Sequence, residues 1–348
     1  MLQTNSSPQA LSARDVFDDL RQRVDVRLHD VLTQAHSHAQ ERARDAAAMV
    51  ASVLDLTMRG GKRMRPAMVL AAVECIGESA SLSAAITDVS AGIELLQTYL
   101  LIHDDWMDGD RVRRGGPTVH VMLSEQYGGE AIGASVAILA GDFASAVAQD
   151  LASSALIPRE RLFDVYRTFV WMQREVVLGQ TLDVLNSGDL DAIHDMKTGS
   201  YTVRGPLALG HALAGGTAAQ WTQLERFAQP LGIAFQLRDD LIGSFGDERE
   251  TGKSAASDLR QGKMSAPVRW ALERLEPTAK RELETLLGTE NTARAQELLV
   301  QSGAVEGIEA RIAELKVQSL TALEGTALRR EGVKLLTRLA SAMCDRRK

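Results

Sequence analysis

Residues 103–108 read His-Asp-Asp-Trp-Met-Asp, and residues 235–240 read Phe-Gln-Leu-Arg-Asp-Asp. Each stretch closes a largely apolar run with the three- and four-residue spacing of a helix. Carboxylates are expensive to bury unless they hold a cation or a partner. On a helix Asp104 and Asp108 stand four residues apart and project from one face. Asp239 begins a second acidic face; 239 minus 104 puts the two 135 positions apart, so only the tertiary fold can bring them together. Two such faces opposite one another suit hard divalent cations, with room for phosphate oxygens. A solvated helix end would instead scatter its charges.

Outward from these stretches the chain reads as helix almost throughout. Alanine and leucine are abundant, and only 8 prolines occur in 348 residues. The periodicity predicts helices at roughly 12–57, 66–77, 82–108, 118–126, 130–154, 159–186, 189–214, 219–243, 263–272, 277–287, 291–301, 304–324 and 328–345. The segments 82–102 and 131–155 are apolar on most sides and are expected in the interior. Residues 1–10 are expected to be disordered and 11–348 to form one all-α domain. Between 244 and 263 the pattern fails; this polar, glycine-bearing stretch is expected as a lid over a site.

Whole-chain properties narrow the chemistry. A net charge of −7 leaves no basic surplus to follow a nucleic-acid backbone. Cys75 and Cys344 form neither a disulfide framework nor a metal-ligand spacing. The start lacks the apolar core of a signal peptide, and no run is expected to span a membrane, so a cytoplasmic location is expected. No nucleophile elbow, Walker loop or dinucleotide glycine fingerprint is present.

Cations gather around the acidic faces. Gly60-Gly61-Lys62-Arg63-Met64-Arg65-Pro66 combines a flexible turn, three cations and a proline suited to a helix start, which together favour anions. Arg111, Arg113 and Arg114 follow the first acidic stretch directly, and Lys253 and Lys263 lie in the polar stretch after the second. Arginine adds a bidentate grip on phosphate oxygens. Acidic faces and cations side by side make sense where metals and a polyanion assemble together.

These pieces resemble the trans-polyprenyl diphosphate synthases. Separate motifs fall in the family's order: Gly-Gly-Lys-Arg-Met-Arg-Pro at 60–66, Asp-Asp-Trp-Met-Asp at 104–108, Arg-Arg-Gly at 113–115, Gly-Gln-Thr-Leu-Asp at 179–183, Lys-Thr-Gly at 197–199, Phe-Gln-Leu-Arg-Asp-Asp at 235–240 and Gly-Lys at 252–253 and 262–263. The resemblance implies an isoprenoid synthase-type bundle of antiparallel helices around a deep central cavity, usually a homodimer. It implies a transferase that condenses isopentenyl diphosphate with an allylic diphosphate with the help of three Mg2+ ions. By the same resemblance Asp104, Asp108 and Asp239 are metal ligands, with Asp105 and Asp240 as accessory members. Arg113, Lys197, Thr198, Gln236, Lys253 and Lys263 look like the allylic diphosphate set. Lys62, Arg65, Gln97 and Arg114 look like the isopentenyl diphosphate set, and Gln180 and Asp183 match a motif near the metals.

Tyr99 and Leu100, five and four residues before Asp104, look like the positions that set product length, most like those of a geranylgeranyl-forming enzyme. One departure stands out. Many members carry a third aspartate where this chain has Gly243, so the second face lacks a carboxylate four residues after Asp239. A terpene cyclase would keep the first acidic face but needs no isopentenyl site. A non-catalytic partner subunit would be expected to lose an acidic motif or several cations. Asp142 also recurs in the family's pattern, with no chemical role assigned.

Overall fold

A computed structural model describes residues 13–77, 79–185, 187, 190–246 and 256–346; residues 1–10, Asp247 and Lys253 lie outside them. In chain order the helices are α1 (Ala13–Arg42), α2 (Ala47–Met58), α3 (Met64–Ile76), α4 (Ser83–Met107), α5 (Val119–Tyr127), α6 (Glu130–Ala152), α7 (Arg159–Val184) and α8 (Leu190–His194). They continue with a π-helical segment (Asp195–Arg204), α9 (Gly205–Ala214), α10 (Ala218–Phe245), α11 (Ser257–Arg260), α12 (Ala266–Arg274), α13 (Pro277–Leu286), α14 (Thr292–Gln301), α15 (Ala304–Thr321) and α16 (Arg330–Cys344). The fold is all-α, as expected; among the described residues the one sheet is a hairpin of β1 (Val112–Arg113) and β2 (Gly116–Pro117).

Helix α4 is the central post. Leu20, Val24, Leu28 and Leu32 recur every four residues on α1 and are buried in the core that α4 shares. On its other side α4 packs along α6, whose Gly141, Ala137, Ala140, Ala144 and Ala148 are small enough for the backbones to close in. A methyl group on Gly92 of α4 would already lie 3.0 Å from the Ala148 carbonyl oxygen. A second apolar cluster joins α10 to α3, α15 and α16, and a third gathers α11 to α14. By length and composition alone α4 and α6 would suit a membrane span, a test that core helices also pass; α4 is mostly buried within the bundle, whereas α6 keeps an exposed apolar side.

Two predicted helices are divided. Residues 12–57 form α1 and α2, separated at Ala43 (φ −153°, ψ 67°) and a short 3-10 turn, Arg44–Ala46. A straight helix of that length would run about 69 Å at about 1.5 Å per residue. Folding back instead lets Leu20 to Leu32 and Val50, Val53 and Leu56 share one core. The predicted helix 189–214 contains the π-helical segment Asp195–Arg204. Glycines on both neighbours admit its wider turn: a methyl on Gly179 of α7 would sit 2.3 Å from the Lys197 nitrogen, and one on Gly232 of α10 would sit 2.9 Å from the Gly199 Cα. Helix α12 starts at Ala266, three residues later than expected, because the chain between α10 and α12 spends Ser257–Arg260 on a short helix of its own.

Candidate active site

The ends of α3, α4, α7 and α10, the π-helical segment and the segment before α12 enclose a cavity of about 750 Å³. Lys62, Arg65, Gln97, Asp104, Asp108, Arg113, Arg114, Asp183, Lys197, Thr198, Gln236, Asp239, Asp240 and Lys263 all line it. The two acidic stretches therefore meet in space. Gln97, Leu101, Asp104 and Asp108 line it from one stripe of α4 and its C-cap, at the three- and four-residue spacing of a single helix face.

Each acidic group carries a cation or donor. Asp104 accepts from the Gln180 side-chain nitrogen at 3.0 Å and faces the Lys197 ammonium at 3.6 Å. Lys197 also donates to Asp183 at 2.5 Å, and Lys263 donates to Asp108 at 2.5 Å. Asp239 pairs with Arg346, which also stacks over the Phe235 ring. Burial works against the Lys197 ammonium, but Asp104 and Asp183 outweigh it and hold its pKa above the ordinary value. Burial and the neighbouring Asp104 raise the Asp108 carboxyl, with Lys263 opposing them.

Asp105 stands behind the cavity wall, and Asp240 lines the cavity from a largely buried position. Asp105 is fully buried and is gripped by Arg113, and burial lifts its carboxyl to about 6 against the pull of that guanidinium. Asp240 accepts from the Ala266 amide at 2.8 Å and from Gln236 Nε2 at 2.7 Å, with His194 Nε2 at 3.4 Å. Burial would raise its pKa, yet these donors hold it below the usual carboxylate range. The Thr198 hydroxyl donates to Gln236 Oε1, so Asp240, Gln236 and Thr198 form one chain of hydrogen bonds.

The opposite side of the cavity is rich in cations. Arg65 donates to Thr202 at 2.8 Å and stacks over Tyr201, while among the described residues its buried Nε has no hydrogen-bond partner. Burial and the neighbouring Arg63, Arg65 and Arg113 push the Arg114 pKa down to about 10, with Glu94 the opposing influence. Burial, with Arg238 and Arg65, lowers Arg346 to about 10 as well. Guanidinium groups this buried and this mutually repulsive form a ready receptor for phosphate oxygens. The hairpin presents Arg114: Arg114 (φ 52°) and Gly115 (φ 73°) form its two-residue left-handed turn, and Arg59 donates to the carbonyls of Arg113 and Pro117 at 3.0 and 2.8 Å.

Some residues fall elsewhere. Tyr99 and Leu100 do not line the cavity. Tyr99 faces α6 and α7, edge-on to the His103 ring at 4.8 Å, and His103 contacts the Ile138 carbonyl at 3.0 Å. Asp142 is exposed on α6. Several partners were not singled out in the sequence. Arg63 is buried and donates to Glu94 at 2.6 Å and Asp25 at 2.8 Å, and Gln261 donates to Asp110 at 2.5 Å. Arg63 sits inside a motif already noted for its charge; Arg346, close to the chain end, carries no such signal.

Among the described residues no three metal-ligating side chains converge closely enough to cage an ion by themselves. Magnesium does not need such a cage. It keeps several waters and commonly takes one or two carboxylates plus substrate phosphate oxygens. Asp104, Asp108 and Asp239, whose carboxylates line the cavity, fit that role.

A model of the polyprenyl synthetase family matches residues 47–301. The chain is 32% identical to the geranylfarnesyl diphosphate synthase of Aeropyrum pernix, over 74% of this chain and 81% of that one. It is 31% identical to the geranylgeranyl diphosphate synthase of Sulfolobus acidocaldarius, over 68% and 71%. A crystal structure of geranylgeranyl pyrophosphate synthase from Corynebacterium glutamicum, complexed with isoprenyl diphosphate and magnesium, superposes with a TM-score of 0.86 at 32% identity, covering 94% of this chain and 99% of that one. A polyprenyl synthase from Caulobacter crescentus, complexed with calcium and isoprenyl diphosphate, gives 0.78 at 26%, covering 98% and 100%.

Proposed function

The chain belongs to the polyprenyl synthetase family and is a trans-prenyltransferase, and from that premise we propose that it joins isopentenyl diphosphate to an allylic diphosphate, with magnesium, to give geranylgeranyl diphosphate. The observation that carries this reading is the meeting of two acid-bearing helix ends, remote in sequence, across one cation-lined cavity. The magnesium and isoprenyl diphosphate in the Corynebacterium structure support it.

Asp104, Asp108 and Asp239 would hold three magnesium ions, which when bound supply Lewis-acid and electrostatic stabilisation to the departing diphosphate. Lys197, Lys263 and Arg113 add donors for its oxygens. The allylic C–O bond breaks and its electron pair leaves with the diphosphate. The oxygens of Thr198 and Gln236 turn their dipoles toward the resulting allylic cation. Lys62, Arg65, Gln97 and Arg114 hold isopentenyl diphosphate so that its double bond attacks that cation. The proton then lost passes to the released diphosphate. Water must stay out, or it would quench the cation to an alcohol; the segment from 244 to 263, of which 247–255 lie outside the described residues, is assigned this closing role.

Purified protein given isopentenyl and allylic diphosphates should make longer prenyl diphosphates by mass spectrometry, lose that activity in EDTA and regain it with Mg2+. Asp104→Ala and Asp239→Ala should each cut turnover by orders of magnitude with the helical circular dichroism unchanged. Near-normal turnover in either overturns the metal assignment. Product length is assigned to Tyr99 and Leu100, behind the cavity-lining Leu101. An unchanged product from Tyr99→Ala removes Tyr99 as the ruler. The reading includes a homodimer and a cytoplasmic enzyme. The exposed Ile132 and Leu139 of α6, with Phe163 and Leu178 of α7, offer a second copy an apolar face. Light scattering at the mass of one 37.7 kDa chain would remove the dimer.

A further inference from the structure

We propose that Gln261 is a positioning residue of the transfer reaction: by gripping Asp110 it holds the segment before α12 against the cavity for the lifetime of the allylic cation. Its role rests on the ionisation and condensation proposed above and concerns what keeps water from that cation.

The segment and the acidic end of α4 are mounted separately. Residues 261–265 line the cavity. Just before them Ala256 and Leu259 are buried in the third apolar cluster, and the Leu259 carbonyl accepts from the Gly288 amide at 2.9 Å. Helix α4, with Asp104 on it and Asp108 at its C-cap, belongs to the first cluster instead. Two side-chain contacts cross from the segment to this helix end. Lys263 donates to Asp108 at 2.5 Å, and Gln261 Nε2 donates to Asp110 Oδ1 at 2.5 Å.

Substrate treats the two contacts differently. Asp108 is assigned to a metal and Lys263 to the diphosphate, so ligands claim both ends of the first contact. Asp110 is not among the cavity-lining residues, and its side chain is 10% exposed. Its amide donates to the Asp105 carbonyl at 2.9 Å, and its Oδ2 accepts from Arg113 at 3.2 Å. Gln261 Nε2 is committed to Asp110, and among the described residues its buried Oε1 has no hydrogen-bond partner. The Gln261–Asp110 contact therefore outlasts the loading of the site. It is charge-assisted and shielded from water, which is where such a bond is strong.

Losing it has a particular chemical signature. Once the allylic C–O bond has broken, the oxygen of an admitted water bonds to the allylic carbon. The proton of that water passes to the departed diphosphate, leaving a prenyl alcohol in place of a longer chain. Damage to a metal or diphosphate residue slows ionisation and so depresses both outcomes together. Damage to the Gln261 contact changes their ratio.

The test is that ratio. Purified protein is given Mg2+, isopentenyl diphosphate and dimethylallyl, geranyl or farnesyl diphosphate, and prenyl alcohol and elongated diphosphate are separated by chromatography. A hydrogen bond to a charged group shifts an equilibrium by about tenfold or more, so Gln261→Ala should raise the alcohol-to-product ratio on that scale. Gln261→Glu sets a carboxylate against Asp110 and should raise it too. Asp110→Asn/Gln261→Glu reverses donor and acceptor and should bring the ratio back toward wild type. A ratio in Gln261→Ala within about twofold of wild type, whatever its turnover, overturns the inference. A double variant no better than Gln261→Glu overturns it as well. Wild-type protein that turns over none of the three allylic diphosphates overturns the prenyl-transfer reading beneath it.

Discussion

Gly179→Ala offers a sharp test of how the site is held. A methyl group at this position of α7 would lie 2.3 Å from the Lys197 nitrogen and 2.7 Å from both the Lys197 Cα and the Met196 carbonyl carbon. All three are backbone atoms, so no side chain can swing aside. Restoring ordinary contact at 3.4 Å requires a displacement of about 1.1 Å between α7 and the π-helical segment. Overpacking of this kind costs about 1–3 kcal/mol. The larger effect falls on Lys197, whose ammonium lies 2.5 Å from Asp183 and 3.6 Å from Asp104. A shift of that size stretches the first contact beyond hydrogen-bonding distance. A misplacement of about 1 Å can cost about 10²-fold in rate. The expected outcome is a kcat/KM for the allylic substrate lower by about 10²-fold, read by diphosphate release, with a smaller effect on the KM for isopentenyl diphosphate, because Lys62 and Arg114 are on other elements and only Arg65 leans on the displaced segment, through Thr202 and Tyr201. Gly129→Ala is the control, since a methyl there meets only Ile132 at 3.8 Å. Wild-type kinetics in Gly179→Ala would refute the proposed coupling between the α7 contact and the Lys197 position.

Three further outcomes follow from the buried charges and thiols. Arg63→Met strands the buried Glu94, so urea denaturation should show a loss of about 3–5 kcal/mol that Arg63→Met/Glu94→Leu largely restores; a loss below about 1 kcal/mol would show that the pair carries no stability. Burial pushes the thiols of Cys75 and Cys344 up to about 12 and about 11 from an ordinary 9.0. Folded protein at pH 8 should therefore resist thiol reagents until it is unfolded, and rapid labelling would contradict the packing. Their folded pKa values lie above the unfolded one. Their contribution to stability is thus complete below about pH 9 and is lost as pH rises through the folded values, so Cys75→Ala should flatten the alkaline limb of a denaturation series.

Much of this architecture was legible because burial leaves a periodic mark. The helices carrying Asp104 and Asp239 announce themselves by apolar spacing, and carboxylates at the ends of apolar helices demand an explanation. What escaped reading lacks such a mark. Ala43 breaks a helix with no proline or glycine, because the break is imposed by the core that α1 and α2 share. The π-helical turn at Asp195–Arg204 is permitted by Gly179 and Gly232, which lie on other helices. Arg346 and Asp258 reach the site from segments whose local sequence says nothing about acidic walls. Tyr99 was placed by a position in a motif, whereas the cavity is lined by the helix stripe that includes Leu101 instead.

Backbone strain marks the same region. Among the described residues the non-glycine positions with left-handed backbone are Arg63 (φ 49°), Arg114 (φ 52°) and Ala256 (φ 50°). Arg63 and Arg114 line the cavity, and Ala256 leads directly into Ser257 and Asp258, which line it too. Such conformations cost about 1–3 kcal/mol each and persist only where surroundings over-determine them. Arg63 is fixed by Glu94 and Asp25, and Arg114 by the hairpin turn and the Leu56 carbonyl. Ala256 is fixed by its burial in the third apolar cluster. In each case the strained residue aims a charged neighbour, or itself, at the cavity, while the stabilising contacts lie outside it. The bundle thus holds the charged lining in register before any substrate arrives, which is what electrostatic stabilisation of a departing diphosphate requires.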